Sequence, residues 1–270
     1  MSDSRVRIAL AAMLCIASAC SDGYGSDDSG EAPPLPPLAS MTTDLTRFTT
    51  QSDVLGDASP AVVGTNFLTA AVAVGLARAA TIIVMAVPVA TFGAAAQAMP
   101  VFENGAWHWE YSVTENGKTF VADLAGRVQG TESVWEMRIS ATATTPPLTN
   151  YLWYTGRANL NGAEGEWHIF DASQPSTRNE LLAIDWTHPS ATTWTLTFTN
   201  VRAGALDVGD RLTYEVNSNA HVVRFLDASA PATAEIGWNA ATGAGYLLAP
   251  NYNGGARACW DASLQNVACP

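Results

Sequence analysis

AWHWEYSVTENGKTFVADL, residues 106–124, reads as strand, turn and strand. Trp107, Trp109, Tyr111 and Val113 alternate with His108, Glu110 and Ser112, and a period of two sends alternate side chains to opposite faces of an extended chain. Asn116-Gly117 then supplies a hairpin turn, since both residues accept the positive φ that a tight turn requires. Phe120, Ala122 and Leu124 resume the apolar face on the return.

The same pattern continues along the chain. Trp135, Met137 and Ile139 alternate with Glu136 and Arg138, and Trp194, Leu196 and Phe198 alternate with Thr193, Thr195, Thr197 and Thr199. Similar runs lie near 150–156, 165–170, 181–187, 211–217, 221–226, 233–239 and 244–248. Turn formers separate them, among them Asn161-Gly162, Ser173–Ser176 and Ser218-Asn219. The expectation is an antiparallel up-and-down meander of about ten or eleven strands over residues 104–270, with one large apolar face. The fold class is mainly β, in an α+β arrangement. All nine tryptophans fall between 107 and 260, so they are core residues first and a ligand platform second. Trp107, Trp109, Trp135, Trp153, Trp194 and Phe198 are the residues expected to line any apolar ligand site.

Ahead of the strands, residues 57–103 are of a different kind. Arg78 is the only charged residue between Asp57 and Glu103, and alanine and large apolar residues alternate without a polar face. A helix of that kind has to be buried on all sides or lie in lipid. Residues 79–97 are long enough to be considered as a membrane span, but Thr81, Thr91, Gly93, Gln97 and the many alanines favour a buried helical pair, kinked at Pro88. A wide sheet with one oily face and an oily segment needing cover suggest a barrel, or a strongly curved half-barrel, with the helical segment packed inside it. That layout resembles LolA-type envelope lipid carriers and, more loosely, lipocalins. The resemblance is architectural and implies a carrier of apolar ligands.

The first residues carry a targeting pattern. Arg5 and Arg7 precede the apolar run Ile8–Ile16, and Ala17-Ser18-Ala19 follows; charged start, short apolar core and small residues make a secretory signal over 1–19. Ala17, Ser18, Ala19 and Cys20 resemble the lipobox of bacterial lipoproteins. The resemblance implies that Cys20 is acylated and becomes the mature N-terminus, and that two acyl chains anchor the protein in a membrane. Ser21 in the next position implies, by the same resemblance, the outer membrane. Ala-Ser-Ala also suits an ordinary signal peptidase, which would leave a free thiol at Cys20. Residues 20–56, acidic and proline-rich, are expected to be a mostly disordered tether.

Cys259 and Cys269 remain, and in an oxidising envelope compartment an even pair reads as a disulfide closing the C-terminal loop. A net charge of −12 argues against nucleic-acid partners. Chemistry is scarce. The four histidines, His108, His168, His188 and His221, have no metal-ligand spacing. His108 and His168 read as surface histidines paired with Glu110 and Glu166. GxSxG, SxxK, GxGxxG and P-loop patterns are missing. Glu110, Asp123, Glu136, Glu166, Asp185 and Glu215 share an outer face where charge is ordinarily solvated. The glycine- and asparagine-rich stretch 237–261 reads as turns and a closing strand.

The expected protein is therefore an envelope lipoprotein, not an enzyme, with no metal or cofactor. Its partners are the membrane, reached through the anchor, and an apolar small molecule or an envelope protein. The alternatives are a surface-interaction lipoprotein with a filled core and a hydrolase with a dispersed site.

Overall fold

In a computed structural model, residues 30–48, 63–115, 117–230 and 232–270 are described. The signal at 1–19, Cys20, the two ends of the tether (20–29 and 49–56) and the first residues of the apolar segment lie outside them.

Fourteen strands form one antiparallel sheet, each hydrogen-bonded to its neighbours in chain order. They are β1 (Val101–Glu103), β2 (Ala106–Glu115), β3 (Lys118–Gln129), β4 (Glu132–Ala141), β5 (Leu148–Asn159), β6 (Glu164–Phe170), β7 (Glu180–Ser190), β8 (Thr193–Asn200), β9 (Arg211–Asn217), β10 (Ala220–Asp227), β11 (Ala232–Asn239), β12 (Gly245–Leu248), β13 (Ala258–Trp260) and β14 (Asn266–Val267). Eleven of them, β2 to β12, correspond to the expected runs. The three extra strands are two or three residues long, too short to display a period. The sheet is a meander but not a closed barrel: β1 and β14 are its two edges and do not pair with each other. β1 pairs only with Ala106–His108 of β2, so among the described residues the rest of β2 has no strand on that side.

The inner face is built in ladders that cross the sheet. Trp107, Gly126, Trp135, Gly156 and Trp167 are successive partners from β2 to β6. Each glycine leaves the space that an indole fills. A Cβ on Gly126 would lie 2.3 Å from the Trp135 ring, and one on Gly156 would lie 2.2 Å from the Trp167 ring. A strand glycine ordinarily weakens a sheet; here an aromatic ring folded over it from the next strand restores the packing. Gly165 with Trp186 and Gly245 with Trp260 repeat the device. Trp135, Trp167, Trp186 and Trp260 are fully buried as a result.

One helix, α1 (Thr65–Ala95), stands where a helical pair is expected, and Pro88 lies inside it. Its first turn is held by the C-terminal loop. Asn266 Oδ1 accepts from the Asn66 backbone N–H at 3.0 Å, doing the work of an N-cap from outside the helix. Asn66 Nδ2 donates to the Cys259 carbonyl (2.9 Å), and the Leu264 carbonyl accepts from Gly64 N–H (2.8 Å). The Cys259–Cys269 disulfide closes this loop. Further along, Phe67 meets Trp260 edge-on and Phe92 meets Trp167, with ring centroids 5.6 and 5.7 Å apart.

Burial of the helix is one-sided. Phe67, Ala70, Val74, Met85, Phe92 and Ala95 are buried, whereas Val72 and Leu76 are 64 % and 71 % exposed. The expectation of burial on every side is corrected, because an open sheet has one inner face and cannot cover a helix all round. Among the described residues no helix is long and apolar enough to cross a membrane.

A second correction concerns the tether. Residues 31–48, expected to be part of it, are packed on the sheet through Met41, Leu45 and Phe48, all buried. The Trp167 indole N–H donates to Ser40 Oγ at 3.0 Å, and Phe48 meets Phe67 and Trp238 at 5.6 and 5.1 Å. Three well-spaced apolar side chains outweigh the proline-rich composition around them.

Candidate functional site

β7 to β10 carry an apolar ladder on the inner face: Ile184, Phe198, Leu212 and Phe225 are neighbours in register. Strand alternation brings these four to one side, with Phe198, Leu212 and Phe225 close to where β8 ends, β9 begins and β10 ends. Val84 of α1 packs against the core beside them and lines the same region. A cleft of about 450 Å³ remains, lined by Val84, Leu181, Leu182, Phe198, Leu212, Phe225 and Leu226. Small-molecule sites typically run from about 300 to 1,000 Å³ with apolar walls and a few polar groups.

The polar groups of this cleft come from its end. The β8–β9 connection contributes Arg202, Asp207 and Asp210, and the adjoining strand ends contribute Arg211 and Asp227. Asp210 Oδ1 accepts from the Ala228 backbone N–H at 2.9 Å, tying the β8–β9 connection to the β10–β11 turn. Asp227 accepts from the Ser229 hydroxyl and from the Ser229 and Ala230 backbone N–H groups, which hold its carboxyl below the usual range. Among the described residues neither Arg202 nor Arg211 forms an ion pair, although three carboxylates line the same cleft. In the same connection Leu206 is 97 % exposed.

Of the six residues expected to line an apolar site, Phe198 does so. Trp109 and Trp135 are core residues, their rings 5.5 Å apart, and the Trp135 N–H donates to Ser133 Oγ (2.9 Å). Trp107 is half-buried beside Phe102, and Trp153 packs against the core from a half-buried position. Trp194 stacks on His188 with centroids 3.6 Å apart. The other lining residues carried no mark in the sequence, because what distinguishes them is the gap left by α1 rather than their chemistry.

Two other concavities are polar. One, of about 500 Å³, lies on the outer face and includes Glu132, Arg157, Glu164, Glu166, Asp185, Thr195 and Thr197. Glu166 and Asp185 are register partners there, Glu166 half-buried and Asp185 exposed to solvent. The other, of about 210 Å³, gathers Asp44, Arg47, His221 and Trp238. Beside it the Tyr214 hydroxyl lies 2.8 Å from His221 Nδ1. Burial keeps that imidazole below its usual pKa against the opposing pull of Asp44.

His108 pairs with a carboxylate other than the one expected, and His168 keeps the expected Glu166 as the farther of two partners. His108 Nδ1 lies 3.0 Å from Asp123, and His168 Nδ1 lies 2.7 Å from Glu180, with Glu166 farther away at 3.7 Å. Carboxylates on the next strand come nearer than those two residues along the same strand. No cluster of metal-binding side chains occurs among the described residues. No family model, curated protein or solved structure matches this chain, so its function rests on its own geometry.

Proposed function

We propose that the protein is an envelope-anchored lipoprotein and a non-enzymatic binding module that holds an apolar ligand between α1 and the inner face of a curved sheet. The observation carrying this reading is the cleft itself, lined by Val84 of α1 and by Phe198, Leu212 and Phe225 of the sheet. Burying apolar ligand surface there is worth about 25 cal/mol per Å² removed from water, less the cost of association. A lipid anchor at Cys20, as the lipobox resemblance implies, would hold the module at a membrane, the natural source of such ligands.

Lipid extraction and native mass spectrometry of the purified full chain test the binding. Co-purifying apolar molecules that are lost in a Leu182→Trp variant, which fills the cleft, support the reading. A wild-type protein that never carries or takes up such a molecule refutes it. Cys20→Ser followed by membrane fractionation tests the anchor: a variant that stays with the membrane fraction removes it.

A second reading, a surface-interaction protein, is favoured by the exposed apolar residues Val72, Leu76 and Val87 on α1. Loss of an envelope partner on changing Val72 and Leu76 to Ser, with ligand uptake unaffected, is the result expected from it.

A further inference from the structure

We infer that the ligand of the α1–sheet cleft is a single-chain zwitterionic amphipath, with its phosphate at Arg202 and Arg211 and its ammonium among Asp207, Asp210 and Asp227. The inference rests on the cleft being a ligand site and adds the class of ligand. Five charged residues gather where the apolar walls end, yet the two guanidinium groups make no ion pair with the three carboxylates. Elsewhere on this sheet opposite charges do close on one another: Arg224 bonds both Glu215 and Glu235, and Arg138 bonds Glu136. Asp210 and Asp227 are fixed in place by backbone N–H groups of the neighbouring turn, so their positions do not depend on the arginines.

A purely anionic headgroup would meet three carboxylates, and a purely cationic one would meet two guanidinium groups. A headgroup bearing both signs satisfies both sets, and like-charge contacts penalise the alternatives. The size of the cleft, about 450 Å³, lies toward the lower end of the usual range, about 300 to 1,000 Å³. It suits one alkyl chain rather than two.

The test is calorimetric titration of the full chain with four twelve-carbon probes below their micelle concentrations: dodecylphosphocholine, dodecyl maltoside, sodium dodecanoate and dodecyltrimethylammonium. Exposed charge contacts are modest, so the expected preference for the phosphocholine over the maltoside is about fivefold. It should shrink as salt is added. Arg202→Gln combined with Arg211→Gln should abolish that preference while dodecyl maltoside binds as before. Equal binding of the phosphocholine and any other probe, or a preference that survives the double variant, overturns the headgroup assignment and leaves the cleft standing. Unchanged maltoside binding in Leu182→Trp overturns the cleft itself, and the assignment with it.

Discussion

Changing Ser40 to Ala should loosen the protein far more than the loss of one hydroxyl from a proline-rich leader would suggest. Ser40 is fully buried, and its Oγ is the acceptor for the indole N–H of Trp167, itself 1 % exposed and 127 residues away in sequence. Ser40→Ala leaves that N–H in an apolar surround with no water to replace the lost acceptor. An unsatisfied buried donor costs about 1–3 kcal/mol. For a domain of this size each kcal/mol lowers the melting temperature by about 2–4 °C, so a fall of about 4–8 °C is expected from the middle of that range. Urea unfolding, followed by tryptophan fluorescence, should show a lower midpoint with an unchanged slope. Trp167→Phe removes the donor, and on that background Ser40→Ala should cost only a few tenths of a kcal/mol. A single-variant loss below about 0.5 kcal/mol, or full additivity of the two changes, would refute the seating of residues 31–48 against the sheet.

Four further outcomes are expected. Gly156→Ala places a methyl 2.2 Å from the Trp167 ring and 2.9 Å from the Glu166 carbonyl, so it should destabilise by at least about 1–3 kcal/mol. Gly75→Ala, exposed within α1 and with open space around its α-carbon, should instead stabilise by about 0.5–1 kcal/mol; paired urea denaturations of the two variants check both signs. Reducing the Cys259–Cys269 disulfide, which links residues ten apart, should cost about 3 kcal/mol by loop-closure entropy, read as a lower midpoint with reductant present. Burial alone would lower the pKa of His168, but the hydrogen bond and charge of Glu180, assisted by Glu166, raise it above 6.5. The stability gained is therefore complete below the unfolded value and disappears as pH rises through the folded one. The stability difference between wild type and His168→Gln should be flat in acid and shrink toward alkaline pH, and a difference that grows there would contradict the pairing.

The strands were legible because their signal is local. Trp194, Leu196 and Phe198 against four threonines specify a face without knowledge of anything else in the chain, and Asn116-Gly117 specifies a reversal. Closure of the sheet was not legible: whether β1 meets β14 depends on accumulated twist and on strands of two or three residues that carry no period. The seating of Met41, Leu45 and Phe48 was missed for a related reason. Composition marks the surrounding stretch as unable to fold alone, yet the sheet supplies the apolar surface that it lacks. In the cleft, Phe198 was visible as an inward aromatic residue, whereas Arg202 and Asp207 sit in a connection that resembles any polar loop, and Arg211 at the strand end beside it, until Val84 is placed among them.

The incomplete pairing of β2 leaves a margin of main-chain groups beyond His108 without a strand partner among the described residues. A free margin of that kind is an invitation to aggregate: an extended segment from another copy can dock there and start a fibre. Tyr111 and Val113, 38 % and 41 % exposed on this strand, would make such a join sticky. The exposed carboxylate of Glu110 and the chain's net charge of −12 oppose it, so crowding of copies should be tolerated near neutral pH and should become hazardous as the carboxylates are neutralised in acid.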